Sequence, residues 1–320
     1  MMNANYIWRN GKIIPFGEAT VHVLNPTMHY GPGVFEGIRC YHGRGGSAVF
    51  RLQDHLERFF RSIHILGIEN LPYDIETLRQ AVHQTIQVNG FSECYIRPFM
   101  YLEGPMGLNL DRSTPSFAIA VWEWGPYLGE EAFERGATMM VSSFTRMHPN
   151  ASMTKAKIGG QYVNSMLAKT LALRSGFDEA VLLDPEGFVA EGTGENLFIV
   201  AGERIYTPPA GSILDGITRD TVIALSGDLG YSVVERRISR DQLYTADEVF
   251  VAGTAVEITP IREIDFRTIA TGARGPVTAE IQQAFFDTVR GHGLRSDEYL
   301  DYVSRTDAVL EKGTPETEGV

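Results

Sequence analysis

Met153-Thr154-Lys155-Ala156-Lys157-Ile158-Gly159-Gly160-Gln161-Tyr162, followed further along by Glu191-Gly192-Thr193-Gly194-Glu195-Asn196-Leu197-Phe198, is the part of this chain whose reading decides the rest. A lysine that forms an imine needs a crowded, partly desolvated pocket to become a useful amine. Neighbouring glycines let the backbone and a flat ring approach closely. A carboxylate held against a pyridine nitrogen keeps that nitrogen protonated, so that the ring can draw electrons from a substrate carbanion. Lys157 and Glu191 fit these two roles, and together they read as a pyridoxal phosphate site. The bland alternatives are a solvated lysine, a turn carboxylate at Glu191 and a strand-end charge at Glu195. Against them, Lys157 stands just before the Gly-Gly turn, whereas Lys155 is expected to be structural or exposed. Gly192 and Gly194 permit a tight backbone that turns a carboxylate inward, anchored on the apolar run Asn196 to Val200.

Working outward, the C-terminal side continues with Gly216-Ile217-Thr218-Arg219-Asp220, a glycine-preceded helix start running to Gly230. Free backbone N–H groups and the helix dipole favour an anion there, the alternative being plain capping by Thr218. Strands are expected at Glu248 to Val251 and Val256 to Ile258, with Gly253-Thr254-Ala255 between them able to present backbone donors. A helix from about Pro276 to Arg290 should turn Ile281, Ala284 and Phe285 to a core. Thr138 to Val141, Phe177 to Leu183, Phe188 to Val189 and Asn196 to Val200 read as strands. Tyr162, Met166, Leu167, Thr170 and Leu171 recur at helical spacing from Gly160 to Arg174.

On the N-terminal side, Asn10-Gly11 between Tyr6-Ile7-Trp8 and Lys12-Ile13-Ile14-Pro15 predicts a β-hairpin. Val21 to Leu24, Phe35 to Tyr41 and Ala48 to Arg51 read as further strands. Leu56, Phe59, Phe60, Ile63 and Leu66 mark a helix, as does the stretch Asp74 to Val88 with glycine at its end. Cys94 to Met100 and Phe117 to Trp122 return to strand composition. The predicted organisation is a small α+β domain over residues 1–124 with helices on a largely antiparallel sheet, a connection over 125–136 beginning Gly125-Pro126-Tyr127-Leu128-Gly129, a large domain over 137–310 and a fraying polar tail over 311–320.

At 320 residues, with a net charge of -12, the chain is an ordinary globular protein in which nucleic acid or an anionic membrane is a poor main partner. Cys40 and Cys94 follow no metal-ligand spacing and are too few for a disulfide framework, so both read as buried fillers and the compartment as a reducing cytoplasm. The N-terminus shows no basic and apolar leader pattern, and no apolar run reaches the ~20 residues of a spanning helix; a soluble, unprocessed chain is expected. The eight histidines form no pair at metal-ligand spacing, and dinucleotide, Walker and Gly-x-Ser-x-Gly motifs are absent. Arg97, flanked by Tyr95, Ile96 and Pro98, has an apolar-sheathed stem and a fork shaped for a carboxylate. Arg58 has a bland reading as an i,i+4 partner of Asp54.

Taken together, Tyr30-Gly31, Phe35-Glu36-Gly37-Ile38-Arg39, Tyr95-Ile96-Arg97-Pro98, the Lys157 and Glu191 blocks, Gly216-Ile217-Thr218-Arg219 and Gly253-Thr254-Ala255-Val256-Glu257-Ile258-Thr259-Pro260 resemble the branched-chain amino acid aminotransferases of fold type IV. The likeness runs from about Tyr6 to Arg290 with the blocks in order. It implies a two-domain α+β / α/β architecture in the D-amino acid aminotransferase-like superfamily, whose larger domain has a mixed, partly barrel-like sheet. It implies pyridoxal 5'-phosphate attached to Lys157, which also shuttles the proton, with Glu191 on the pyridine nitrogen and Tyr162 on the phenolic oxygen. Arg58, Ile217, Thr218 and Thr254 would hold the phosphate, while Tyr95 and the Thr254-Ala255 backbone would take the substrate α-carboxylate. Tyr30, Phe35, Trp124 and Tyr127 would line the side-chain pocket with Arg97 at its rim, and Met106 and Leu108 would arrive from a partner subunit of a homodimer or larger homo-oligomer. The implied activity is ping-pong transfer of the amino group from leucine, isoleucine or valine to 2-oxoglutarate; a D-amino acid or (R)-amine aminotransferase is the alternative. Two departures from the family pattern are Asp215, expected to point outward, and Pro126, expected to stiffen the connecting loop.

Overall fold

The structure is a computed structural model that describes residues 4–125 and 127–303; Pro126 and the tail beyond 303 lie outside the described residues. The expected hairpin opens the chain as β1 (Tyr6–Arg9) and β2 (Lys12–Pro15). Its turn residues Asn10 and Gly11 have φ of 46° and 86°, the left-handed values that match the twist of paired strands. Val21 to Leu24 is not a strand. No strand among the described residues pairs with it, and Val21, Val23 and Leu24 are exposed. The segment leads into α1 (Pro26–Tyr30), set by Asn25, whose side chain accepts from the N–H groups of Thr27 and Met28, and by Pro26 in the first turn.

The stretch expected as one strand at Phe35 to Tyr41 is divided at Glu36-Gly37 into β3 (Val34–Phe35) and β4 (Ile38–Gly43), and β5 (Gly46–Phe50) follows. Helices α2 (Leu52–Ile65) and α3 (Ile75–Asn89) then cover the sheet before β6 (Cys94–Glu103) and β7 (Thr114–Trp122). Leu52, Leu56, Phe59 and Ile63 repeat along one face of α2 and are fully buried against Ile38, Ile96 and Phe117 in the core below.

After α4 (Glu130–Arg135) come β8 (Ala137–Val141), α5 (Tyr162–Arg174), β9 (Glu179–Leu183), β10 (Val189–Gly192), β11 (Asn196–Ala201) and β12 (Arg204–Thr207). Then follow α6 (Ile217–Asp228), β13 (Ser232–Glu235), α7 (Arg240–Tyr244), β14 (Glu248–Gly253), β15 (Glu257–Ile264) and β16 (Arg267–Thr268). The described chain ends with α8 (Pro276–Val289), α9 (Ser296–Tyr299) and β17 (Leu300–Tyr302).

The first sheet runs β17-β5-β4-β6-β7-β1-β2, with β3 beside β6, and every pairing in it is antiparallel. The second runs β10-β9-β8-β15-β14-β11-β12-β13 and is mixed: β8 pairs parallel with β9 and β15, and β12 with β13. It curls, bringing β10 back against β11, where Gly192 N–H donates to the Glu195 carbonyl at 2.7 Å. β17 returns late sequence to the first sheet, and one core joins Tyr41 and Phe50 of that sheet to Phe198, Phe250 and Phe285 of the second layer. α5 forms as expected, but its inward face is Ser165, Ala168 and Ala172, while Val163, Met166, Leu167 and Leu173 face out. Small residues are what β9 accepts closely there, so the large apolar ones occupy the opposite side.

Candidate active site

Lys157 is held by the first sheet although its segment precedes α5 of the second layer. Phe35 N–H donates to its carbonyl at 3.1 Å, its own N–H donates to Ser62 Oγ at 3.1 Å, and Val34 bridges Ile158. Gly159 N–H and Gly160 N–H donate to the carbonyls of Gly33 and Gly31 at 2.7 and 3.1 Å. A Cβ at Gly31 would fall 2.8 Å from Gly160 Cα, so these glycines serve a close backbone crossing between the two layers. The Lys157 ammonium donates to Tyr162 Oη at 2.7 Å and lies 5.1 Å from the centroid of the Phe35 ring.

The opposite wall is Glu191 at the end of β10. Burial pushes its carboxyl up from the ordinary range, and Arg146, the Leu214 N–H and Lys157 pull it back toward the ionised form. Arg146 Nε lies 2.5 Å from Glu191 Oε1, while Oε2 accepts from Leu214 N–H and Asn196 Nδ2 at 3.2 and 3.3 Å. Gly192 and Gly216 make this possible: a Cβ on Gly192 would meet Glu195 Oε1 at 2.3 Å, and one on Gly216 would meet Asn196 Oδ1 at 1.9 Å. Neither glycine has a positive φ; both are needed for space.

Arg58, Gly216, Ile217, Thr218 and Thr254 line the same narrow cavity as Lys157, Tyr162 and Glu191. Gly216 is the N-cap residue of α6, so Thr218 is in the first turn and makes no cap; the capping alternative fails. Arg58 does not pair with Asp54, which instead meets Arg51 at 2.7 Å. Its guanidinium is buried and held by Glu36, with Nε to Oε1 at 2.7 Å and Nη2 to Oε2 at 2.8 Å, while Nη1 donates to the Asp215 carbonyl at 2.8 Å. Burial alone would push the Glu36 carboxyl up, yet Arg58 and His55 hold it far below the usual carboxylate range. Three of the five guanidinium N–H donors are thereby committed, leaving two for an anion. The Asp215 side chain, half-exposed, pairs with Lys155 at 2.5 Å, and Lys155 also donates to the carbonyls of Ala210 and Ile213.

A chamber of about 690 Å³ opens beyond the lysine, lined by Phe35, Tyr95, Arg97, Trp124, Tyr127, Thr254 and Ala255 among others. The Arg97 guanidinium lies 4.6 Å from the Phe35 ring centroid and donates from Nη2 to Tyr95 Oη at 3.3 Å, and its buried Nε has no partner among the described residues. Arg39 holds the chamber's far end together. It donates to the carbonyls of Thr254 and Ala255 at 2.8 and 3.0 Å and to those of Trp124 and Gly125 at 3.1 and 3.2 Å.

Residues 33–264 match the family described as Amino-transferase class IV. The chain belongs to this family. The aminotransferase is 49% identical over 287 residues to the branched-chain-amino-acid aminotransferase of Pseudomonas aeruginosa, covering 89% of this chain and 93% of that one. It is 42% identical over 306 residues to the Escherichia coli K12 enzyme of the same description, covering 94% and 98%. The fold matches the T.th. branched-chain amino acid aminotransferase crystallised with pyridoxamine 5'-phosphate with a TM-score of 0.92 at 45% identity, over 95% of this chain and 100% of that one. Sequence and fold thus put this aminotransferase in the branched-chain amino acid aminotransferase branch of fold type IV.

Class IV aminotransferases use pyridoxal phosphate, and the donor set here suits that group. An amine with a phenol beside it, a buried carboxylate on the opposing wall, and a helix start with two spare arginine donors line one narrow cavity. Tyr30, expected in the side-chain pocket, does not line it in its own chain: α1 leaves the ring 48% exposed. Met106 and Leu108 also lie outside the chamber, 38% and 85% exposed. Glu36, Arg39 and Arg146 have no role in the sequence reading. Glu36 and Arg39 stand within a quoted block, and only their buried polar contacts mark them; Arg146 carries no sequence signal.

Proposed function

We propose that this protein transfers the amino group of L-leucine, L-isoleucine or L-valine to 2-oxoglutarate, giving the branched 2-oxo acid and L-glutamate with pyridoxal 5'-phosphate as cofactor. The observation that carries this reading is a largely apolar chamber, continuous with Lys157, in which the Arg97 guanidinium is set among aromatic rings while the other lining arginine, Arg9, is committed to Tyr101, the Thr20 carbonyl and Glu103. An aliphatic side chain gains by leaving water there, at about 25 cal/mol per Å² of apolar surface buried. The γ-carboxylate of glutamate, costly in an apolar cavity, pairs with Arg97 and the Tyr127 hydroxyl.

When bound, the cofactor supplies a reactive aldehyde and a ring that takes up the electrons of a substrate carbanion. Lys157 Nζ would hold the aldehyde and, once free, would take the Cα proton of the amino donor and, in the return half-reaction, deliver a proton to Cα of the glutamate formed from 2-oxoglutarate. Tyr162 Oη, already 2.7 Å from Nζ, orients that amine. Glu191 would keep a proton on the pyridine nitrogen, Arg58 with the first turn of α6 and Thr254 would hold the phosphate, and Tyr95 with the Thr254-Ala255 backbone would take the α-carboxylate. In this reading residues 1–124 and 137–310 act as two domains with the 125–136 connection bordering the chamber. Tyr30, Met106 and Leu108 would come from the neighbouring copy in a homodimer. No described helix is long and apolar enough to cross a membrane; we place the enzyme in the cytoplasm, where its two free cysteines suit a reducing milieu.

An amino-donor panel against 2-oxoglutarate, with both enantiomers of leucine and of 1-phenylethylamine, tests the substrate. L-leucine should dominate; preferential turnover of D-leucine or the (R)-amine would transfer the protein to the alternative within the same fold.

A further inference from the structure

Cys40 and Cys94 are direct partners in the antiparallel β4–β6 ladder, and both are free thiols. Both line a second cavity of about 690 Å³ bounded by Trp124, Gly125, Phe133 and Phe286, so a small reagent has a route to them although each side chain is buried. They are the only cysteines of the chain, and the transamination chemistry uses neither. Directly opposed residues of an antiparallel pair have Cβ atoms about 4.5–5.5 Å apart, and a disulfide needs about 3.5–4.5 Å. At the usual spacing of such a pair, closure draws the two strands together by about 1 Å at this rung.

We propose that Cys40 and Cys94 close into an intrachain cross-strand disulfide under a peroxide oxidant, and that the link acts on the substrate end of the active site through the adjacent rung. The reaction balances as two thiols and one hydrogen peroxide giving one disulfide and two waters. The peroxide oxidises one sulfur to the sulfenic acid with release of the first water, and the second sulfur displaces the second water. A dithiol reductant reverses it by exchange.

The adjacent rung is Arg39 opposite Tyr95. Arg39 fixes the carbonyls of Thr254 and Ala255, and Tyr95 Oη fits only because Gly37 lacks a side chain, a Cβ there lying 1.9 Å from the hydroxyl. A contraction of about 1 Å at Cys40–Cys94 has no slack to absorb it at those contacts. Glu191 and the start of α6 belong to the other sheet layer and keep their places. The linkage itself is independent of the function proposed above, whereas its effect on substrate binding rests on that reading.

The test starts from reduced, desalted holoenzyme treated with hydrogen peroxide. Thiols titrated in denaturant should fall from two per chain to none, with the chain lighter by two hydrogens, still monomeric in size on a non-reducing denaturing gel, and restored by dithiothreitol. C40S and C94S, with C40A and C94A alongside because a buried hydroxyl needs a partner, should each retain their remaining thiol without forming the link. Survival of both thiols, addition of oxygen atoms in place of the link, or a link between chains would overturn the linkage. On oxidation, the KM for L-leucine should rise several-fold while the cofactor absorbance is unchanged. A fully linked enzyme with unaltered KM, or one that loses its cofactor absorbance, would overturn the coupling. Absence of any cofactor absorbance before oxidation would instead count against the proposed function and leave the thiol result standing.

Discussion

Glu191 can hold a proton on a ring nitrogen only while it is itself ionised, and its buried position works against that. The Arg146 guanidinium 2.5 Å away is the chief opposing influence. Arg146→Gln should therefore raise the Glu191 carboxyl further. Activity is lost as pH falls through that pKa, so raising it moves the acid limb of the kcat/KM profile to higher pH. A limb that stays in place or moves to lower pH would contradict the assignment. Removing one member of a buried pair costs about 3–5 kcal/mol, so urea denaturation should also show lowered stability. Glu36→Gln makes a parallel case: Arg58 loses its bidentate carboxylate and its fixed orientation, and the affinity for pyridoxal phosphate, read by absorbance titration, should drop ten-fold or more. Lys157, Tyr162 and Glu191 were legible because each lies in a short window with glycines whose spacing carries meaning. Arg39, Glu36 and Arg146 were not, because their partners are brought to them only by the fold; Arg39 binds Thr254, 215 residues away. Tyr30 does not reach the chamber of its own chain, and a sequence block does not say whose cavity a side chain enters.

At the level of elements, the start of α6 and the Glu191 wall are one unit. Asn196 Nδ2 donates both to Glu191 Oε2 and to the Leu214 carbonyl, and its Oδ1 occupies the space left by the missing Gly216 side chain. Gly216→Ala should displace Asn196, tilt the first turn of α6 and weaken cofactor binding at both ends. The expected result is at least a ten-fold rise in the pyridoxal phosphate Kd with the apoprotein still folded by circular dichroism; an unchanged Kd would show that the turn can shift freely. Phe59→Ala tests α2 in a different way, through its core face. Phe59 is fully buried against Phe117, and its loss should cost about 3–5 kcal/mol in urea unfolding. The helical periods of α2, α3 and α8 were legible because each buries a single continuous apolar face. Val21 to Leu24 and the outward face of α5 misled for the same physical reason: their apolar residues are exposed in the single chain, so periodicity toward its own core could not describe them.

Those misleading residues also bear on the whole molecule. Val23, Leu24, Met28, Tyr30 and Leu108 are 64%, 60%, 62%, 48% and 85% exposed, a concentration of large apolar side chains that marks an interaction surface in a folded protein. Val21, just ahead of the first four, lines the substrate chamber, and α1 packs on β6, with Thr27 Oγ1 accepting from Leu102 N–H at 2.8 Å, while Leu108 follows the end of β6. The surface therefore begins at the chamber's edge, where a second copy would both bury it and close the opening over a bound side chain. In solution the protein should have at least twice its chain mass of 35.5 kDa by light scattering. Leu108→Asp, introducing a charge that would have to be desolvated in such an interface, should shift the population to the single-chain mass. Because Lys157, Glu191, Arg58 and α6 all come from one chain, the dissociated variant should still bind pyridoxal phosphate. Its KM for L-leucine should rise, since the aliphatic side chain would then meet water at the open mouth. A variant that dissociates fully yet keeps the parent KM would show that one chain completes the chamber alone, and a parent protein of single-chain mass would remove the partner from the argument.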